Sequence, residues 1–125
     1  MNPPKTHGDL TRIWRAFFNS MRGLKMALCS EPAFFQNTLF ALALVVLGAC
    51  LGVRGMLLFW IIGAALLLLI VELLNSAIES VVDLVTKDHH PLAGRAKDMA
   101  SAAVFLAIVH ALIAFGCGLW SVWGA

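Results

Sequence analysis

Three stretches of the chain, Ala33 to Val53, Met56 to Asn75 and Met99 to Trp123, contain between them a single Asp, Glu, Lys or Arg, namely Glu72. Each is long enough to cross a hydrocarbon core of about 30 Å, which takes about 20 helical residues. Backbone groups in lipid have no water to bond, so each stretch must close its own hydrogen bonds as an α-helix. With 61% hydrophobic and 13% charged residues among 125, the chain lacks the polar surface of a soluble domain of its size. The expected fold class is therefore an all-α membrane protein. It is a single domain over residues 1–125, with a surface helix at about 11–29 and spans at about 33–53, 56–75 and 99–123.

The placement of cations gives an expected orientation. Lys5, Arg12, Arg15, Arg22 and Lys25 precede the first span, and Lys87, Arg95 and Lys97 separate the second from the third. The short link between spans one and two carries only Arg54. By the positive-inside rule the two basic segments are cytoplasmic, the N-terminus lies inside and the C-terminus outside. Trp60, Trp120 and Trp123 then fall near the outer interface, where aromatic belts form.

The segment from Thr11 to Cys29 has a different pattern. At helical spacing Ile13, Trp14, Phe17, Met21, Leu24 and Leu28 share about 100° of arc, with Arg12, Arg15, Asn19 and Arg22 opposite. This predicts an amphipathic helix on the inner leaflet, its cations against anionic lipid. Ser30 is a candidate cap for the next helix, Pro32 suits its first turn, and Glu31 is left at the cytoplasmic rim. The first residues show no signal-peptide pattern. Cys29, Cys50 and Cys117 are isolated, which favours neither disulfides nor zinc, and are expected as small apolar fillers.

The charge inside span two opens a stripe. Glu72, Asn75, Ser76, Glu79 and Asp83 follow one another at helical spacing and lie within about 60° of one line. At about 1.5 Å per residue the stripe is about 16 Å long, running from just inside the membrane into the cytoplasm. A carboxylate at the centre of a bilayer costs about 2.5–3.5 kcal/mol, and less near its edge, so its presence points to function rather than to a merely solvated face. Acids one turn apart repel unless a cation joins them. Mg²⁺ fits, since it takes one or two carboxylates and leaves its other positions to water and phosphate oxygens.

In "HHPLAGRAKDMASAAV" Pro91 and Gly94 are expected to break the chain, and Lys97–Asp98 to open span three. A lysine at that level suits phosphate. The Walker pattern and the kinase Gly-rich loop are both absent. Adjacent His89 and His90 do not face one site from a helix, which disfavours zinc, and His110 is expected to be packed and hydrogen-bonded.

"TRI" at 11–13, "VELLNSAIESVVD" at 71–83 and "GRAKDMASAAV" at 94–104 together resemble the small integral-membrane diacylglycerol kinases of Gram-negative bacteria, over nearly the whole length. The resemblance implies a surface helix and three spans, a homotrimer in the inner membrane, and sites at subunit contacts near the cytoplasmic interface. Its C-terminus would be periplasmic. The implied reaction moves the γ-phosphoryl group of ATP to the primary hydroxyl of diacylglycerol, with Mg²⁺ as cofactor and no nucleic-acid partner. The family's catalytic base falls on Glu72, and its Mg²⁺-binding glutamates on Glu31 and Glu79. Its nucleotide set falls on Arg12, Asn19, Glu31, Glu79, Asp88, His89, His90, Lys97 and Asp98. Its lipid-substrate set falls on Arg12, Glu72, Asn75, Ser76 and Ser101.

The chain departs from that pattern at Asn19, where well-known members have a tyrosine, and at Phe35 and Asn37, in place of an arginine and a glutamate. "HPLA" at 90–93 is similar to the related undecaprenol kinases, the alternative reading, in which base, metals and fold stay and the lipid changes. A small oligomeric channel would spread its acids through the bilayer, whereas here they gather at one interface.

Overall fold

The structure, a computed structural model, describes residues 10–124. Lys5, one of the cations counted above, lies outside them. Four helices follow in order: α1 (Leu10–Ser30), α2 (Pro32–Cys50), α3 (Gly55–Val85) and α4 (Pro91–Trp123). The last three are each long and apolar enough to cross a membrane.

The joint between α1 and α2 is a single residue. A residue before proline is driven out of the α region by the proline ring, and Glu31 is extended, with φ −112° and ψ 99°. Glu31 and not Ser30 is therefore the N-cap of α2, and Ser30 closes α1. Pro32 stands in the first turn of α2, as expected.

The first span ends three residues sooner than hydropathy suggested, at Cys50. Gly52 adopts φ +99°, a conformation open to glycine at little cost. Its N–H bonds to Ala49 O at 3.2 Å, and the Val53 N–H to Gly48 O at 2.9 Å. That pair of bonds is a Schellman motif, which turns the chain and satisfies the last carbonyls of α2. Arg54 adds donors to Val53 O, at 2.8 Å, and to Ala49 O. Val53 folds back into the core with no exposed surface.

The other two helices outrun their expected spans. At about 1.5 Å per residue, the 31 residues of α3 and 33 of α4 each exceed a core of about 30 Å by roughly ten residues. α3 therefore carries the whole acidic stripe on one rod. α4 begins at Pro91 and runs through Gly94, so proline starts the helix and glycine does not interrupt it. The His90 ring supplies the reason: its Nδ1 accepts from the Leu92 N–H at 3.2 Å and caps the first turn. Capping and packing offset the penalty of about 1 kcal/mol for a helical glycine.

α3 packs against both α2 and α4, and α1 rests on α2 through its buried residue Ala27. The core cluster joins Leu44 of α2, Val53 of the turn, Ile61 and Ala64 of α3, and Ala111 and Ala114 of α4. Small residues at 107, 111, 114 and 118 let α4 approach closely, as lipid-embedded helices do without a hydrophobic drive of their own. A Cβ at Gly118 would stand 3.0 Å from Ile61 Cδ1 and 3.2 Å from Val53 Cγ1. Gly118→Val is expected to cost about 1–3 kcal/mol of overpacking, seen as a lower thermal midpoint in micelles. An unchanged midpoint would contradict this account of the contact.

Three of the four tryptophans, Trp60, Trp120 and Trp123, lie toward the end of the molecule that holds the α2–α3 turn. Trp123 Nε1 donates to Leu51 O at 2.9 Å, tying the end of α4 to that turn, while Trp60 and Trp120 are exposed. Cys29, Cys50 and Cys117 are free thiols, but all three are exposed and do not serve as buried filler.

Candidate active site

The buried stripe of α2 runs through Phe34, Ala41, Leu44 and Gly48, and that of α3 through Ile61, Ala64, Ala65, Leu68 and Glu72. Glu72 is the only buried charged or polar residue among those described, at 2% exposure. Its Oε2 accepts from Asn37 Nδ2 of α2 at 2.9 Å, and its Oε1 accepts no hydrogen bond among the described residues. This link was missed in the sequence because it depends on which faces of two helices meet. The available signal was Asn37 itself, a polar residue in phase with the apolar stripe of α2.

One turn outward, Asn75 Nδ2 reaches Glu79 Oε1 at 3.4 Å, a long contact. The Asn75 Oδ1 is buried with no partner. Such an orphan acceptor costs stability unless a donor from elsewhere meets it. Glu79 and Ser76 are half-buried. The half-buried Glu31, between α1 and α2, makes no side-chain capping bond to α2.

At the end of the stripe, Asp83 accepts from Lys97 Nζ at 2.6 Å, joining α3 to α4. This is the one ion pair among the described residues, and its side chains are 53% and 41% exposed. At that exposure it is worth about 1 kcal/mol or less, so its role is placement. Both residues lie in the helix turns that extend past the apolar spans. Its hydrogen bond to Asp83 chiefly, then the charges of Asp83 and Glu79, hold the Lys97 ammonium above the ordinary lysine range. Of the two residues expected as nucleotide contacts at the start of span three, Lys97 engages Asp83 and Asp98 is exposed.

Asp83, Lys87, Asp88, His89, His90 and Lys97 line a cleft of about 490 Å³ at the α3–α4 turn. Four residues expected around a nucleotide, namely Asp88, His89, His90 and Lys97, thus come together. The turn is shaped by Thr86, whose Oγ1 accepts from the Asp88 N–H at 3.1 Å. His90 spends one ring nitrogen on capping α4, so only Nε2 remains for a ligand. Arg12 and Asn19 are not brought to this cleft by any hydrogen bond or ion pair among the described residues. Both are exposed on α1, where the Asn19 carbonyl oxygen accepts from Arg22. Ser101 is exposed on α4, one turn past Lys97. His110 is half-buried and makes no hydrogen bond among the described residues, contrary to expectation.

Among the described residues no three His, Cys, Asp or Glu side chains converge on one point. That argues against an all-protein metal cage. It agrees with a cation that takes single carboxylates and completes its shell with water and phosphate. Glu31, without a bond, and Glu79, with one long one, have the free oxygens such a cation needs.

Residues 18–119 match the family described as prokaryotic diacylglycerol kinase. The chain is 45% identical over 114 residues to a diacylglycerol kinase of Escherichia coli strain K12, covering 91% of this chain and 93% of that one. It is 39% identical over 120 residues to the Haemophilus influenzae diacylglycerol kinase, covering 96% and 94%. It is 43% identical over 107 residues to that of Pseudomonas aeruginosa, covering 86% and 87%. A match over most of the chain, on helices that carry one buried carboxylate among membrane-length apolar segments, places the chain in the prokaryotic diacylglycerol kinase family.

Proposed function

We propose that this protein transfers the γ-phosphoryl group of ATP to the primary hydroxyl of diacylglycerol, with Glu72 as the general base. The observation that carries this reading is Glu72 itself: buried, held through one oxygen, and the single acid in the apolar stretches. A lipid's hydroxyl stays at the interface because its acyl chains stay in the bilayer. Glu72, just inside the membrane end of the stripe, is at a depth to meet it. A base must come within hydrogen-bond reach of the proton it takes. Oε1 takes the hydroxyl proton, the alcohol oxygen attacks the γ-phosphorus, and ADP leaves.

Water-borne nucleotide approaches from the other end of the stripe, at the cleft of Lys97, His90, His89 and Asp88. Arg12, Asn19 and Asp98 are the remaining contacts that family resemblance supports, and Asn75, Ser76 and Ser101 line the way to the lipid. Glu31 and Glu79 are the residues that would hold Mg²⁺, whose charge offsets that of the β- and γ-phosphates. Phosphoryl transfer is mostly positioning and charge stabilisation, so a lysine and two acids suffice without a P-loop.

The basic end containing Lys87, Arg95 and Lys97 is cytoplasmic in this reading, and the tryptophan end periplasmic, in the bacterial inner membrane. α1 lies along the inner leaflet as an amphipathic helix. The large exposed side chains on all three long helices, among them Leu66, Phe105 and Leu112, face lipid or other copies of the chain in a homotrimer.

The test is phosphorylation by purified protein in mixed micelles, with diacylglycerol and undecaprenol offered in competition. Diacylglycerol is expected to win by kcat/KM, the measure of discrimination. A higher kcat/KM for undecaprenol would replace the acceptor and leave the base in place.

A further inference from the structure

We infer that Asn37 is a positioning residue for phosphoryl transfer: its amide holds Oε2 of Glu72 and so turns Oε1 toward the acceptor hydroxyl. This rests on the reading of Glu72 as general base. Asn37 has no role in the metal, nucleotide or lipid sets above, and its contact with Glu72 comes from a different helix.

Burial makes the first argument. A carboxylate taken out of water is costly unless it is hydrogen-bonded or paired. Glu72 is 2% exposed, and no cation pairs with it among the described residues. The Asn37 amide is its one hydrogen-bond donor there, at 2.9 Å. A bond to an ionised acceptor is roughly twice as strong as one between neutral groups. An amide also brings no charge of its own, so it supports the carboxylate without cancelling it.

Geometry makes the second. The last torsion of a glutamate is broad and roughly two-fold, so an unheld carboxylate presents either oxygen in many directions. Pinning Oε2 from a second helix fixes the plane of the group. Asn37 is well placed to do so, because Phe34 and Ala41, one turn to either side, are 2% and 3% exposed. The stretch of α2 that carries Asn37 is thereby packed in place. The two stripes that meet are apolar except for Asn37 on one and Glu72 on the other. A polar residue facing the bundle interior is costly in a membrane and pairs with another.

The orientation of the amide is set by the same reasoning. With Oδ1 turned to Glu72, two acceptors would face each other, which an ionised carboxylate does not permit.

The test uses the full-length protein in mixed micelles with Asn37→Leu, which keeps the size and removes the donor, and Asn37→Gln, which keeps an amide. Asn37→Ala carries the comparison if the leucine variant fails to assemble. Leu and Ala are expected to lower kcat about tenfold or more with KM for MgATP unchanged. Gln is expected to recover much of the loss. Glu72→Gln is measured alongside. If it is inactive while Asn37→Leu and Asn37→Ala keep parental kcat, the positioning role is wrong and the base stands. A fall in kcat matched by a rise in KM for MgATP, or no recovery in Asn37→Gln, makes the residue merely structural and also overturns the role. Turnover retained by Glu72→Gln overturns base and positioning together.

Discussion

Glu72→Gln is expected to lower turnover by a factor of about 10² to 10⁴, the usual contribution of a positioned general base, while MgATP affinity stays near that of the parent. Glutamine keeps the shape of glutamate and cannot take the hydroxyl proton. Its carbonyl oxygen still accepts from Asn37, so the α2–α3 contact at 2.9 Å need not be lost. This makes the variant a test of chemistry rather than of folding. Lipid phosphorylation and nucleotide binding, both measured on assembled protein in detergent, separate the two effects. Loss of MgATP binding together with turnover would make Glu72 a ligand and remove it as base.

The contrasting result is expected at Glu79. If Glu79 and Glu31 carry the cation on the phosphates, glutamine at either position removes a ligand charge. Even an outer partner of a metal is worth about tenfold to a hundredfold in affinity or activity. Glu79→Gln is therefore expected to depress both turnover and MgATP affinity at least tenfold, and to raise the Mg²⁺ concentration needed by the activity that remains. Titrating Mg²⁺ at fixed ATP reads this directly. Normal turnover of Glu79→Gln at ordinary Mg²⁺ would take the residue out of the metal site.

The three apolar helices were legible because the absence of charge over membrane-length stretches is a signal no other fold class needs. Their ends were less so. Hydropathy marks where lipid stops, and α3 and α4 continue into water through Val85 and back to Pro91. The acids at helical spacing beyond Asn75 already contained the information for α3. For α4, Gly94 was a misleading signal, since the His90 cap that overrides it is a contact of the folded turn. The same division holds at the site. The acidic stripe is a periodicity within one helix and could be read directly. Asn37 with Glu72, and Asp83 with Lys97, are contacts between helices whose relative rotation no single segment encodes.

The continuity of α3 also restricts how such a chain can change in length. Glu72, Glu79 and Asp83 share one uninterrupted helix from Gly55 to Val85. One residue inserted between them would turn everything beyond it by about 100° and advance it by about 1.5 Å. Glu72 and the acids beyond it would then face different ways, with no loop between them to absorb the error. The helix that sets the spacing of these acids works as a gauge block, and its length is not free to drift.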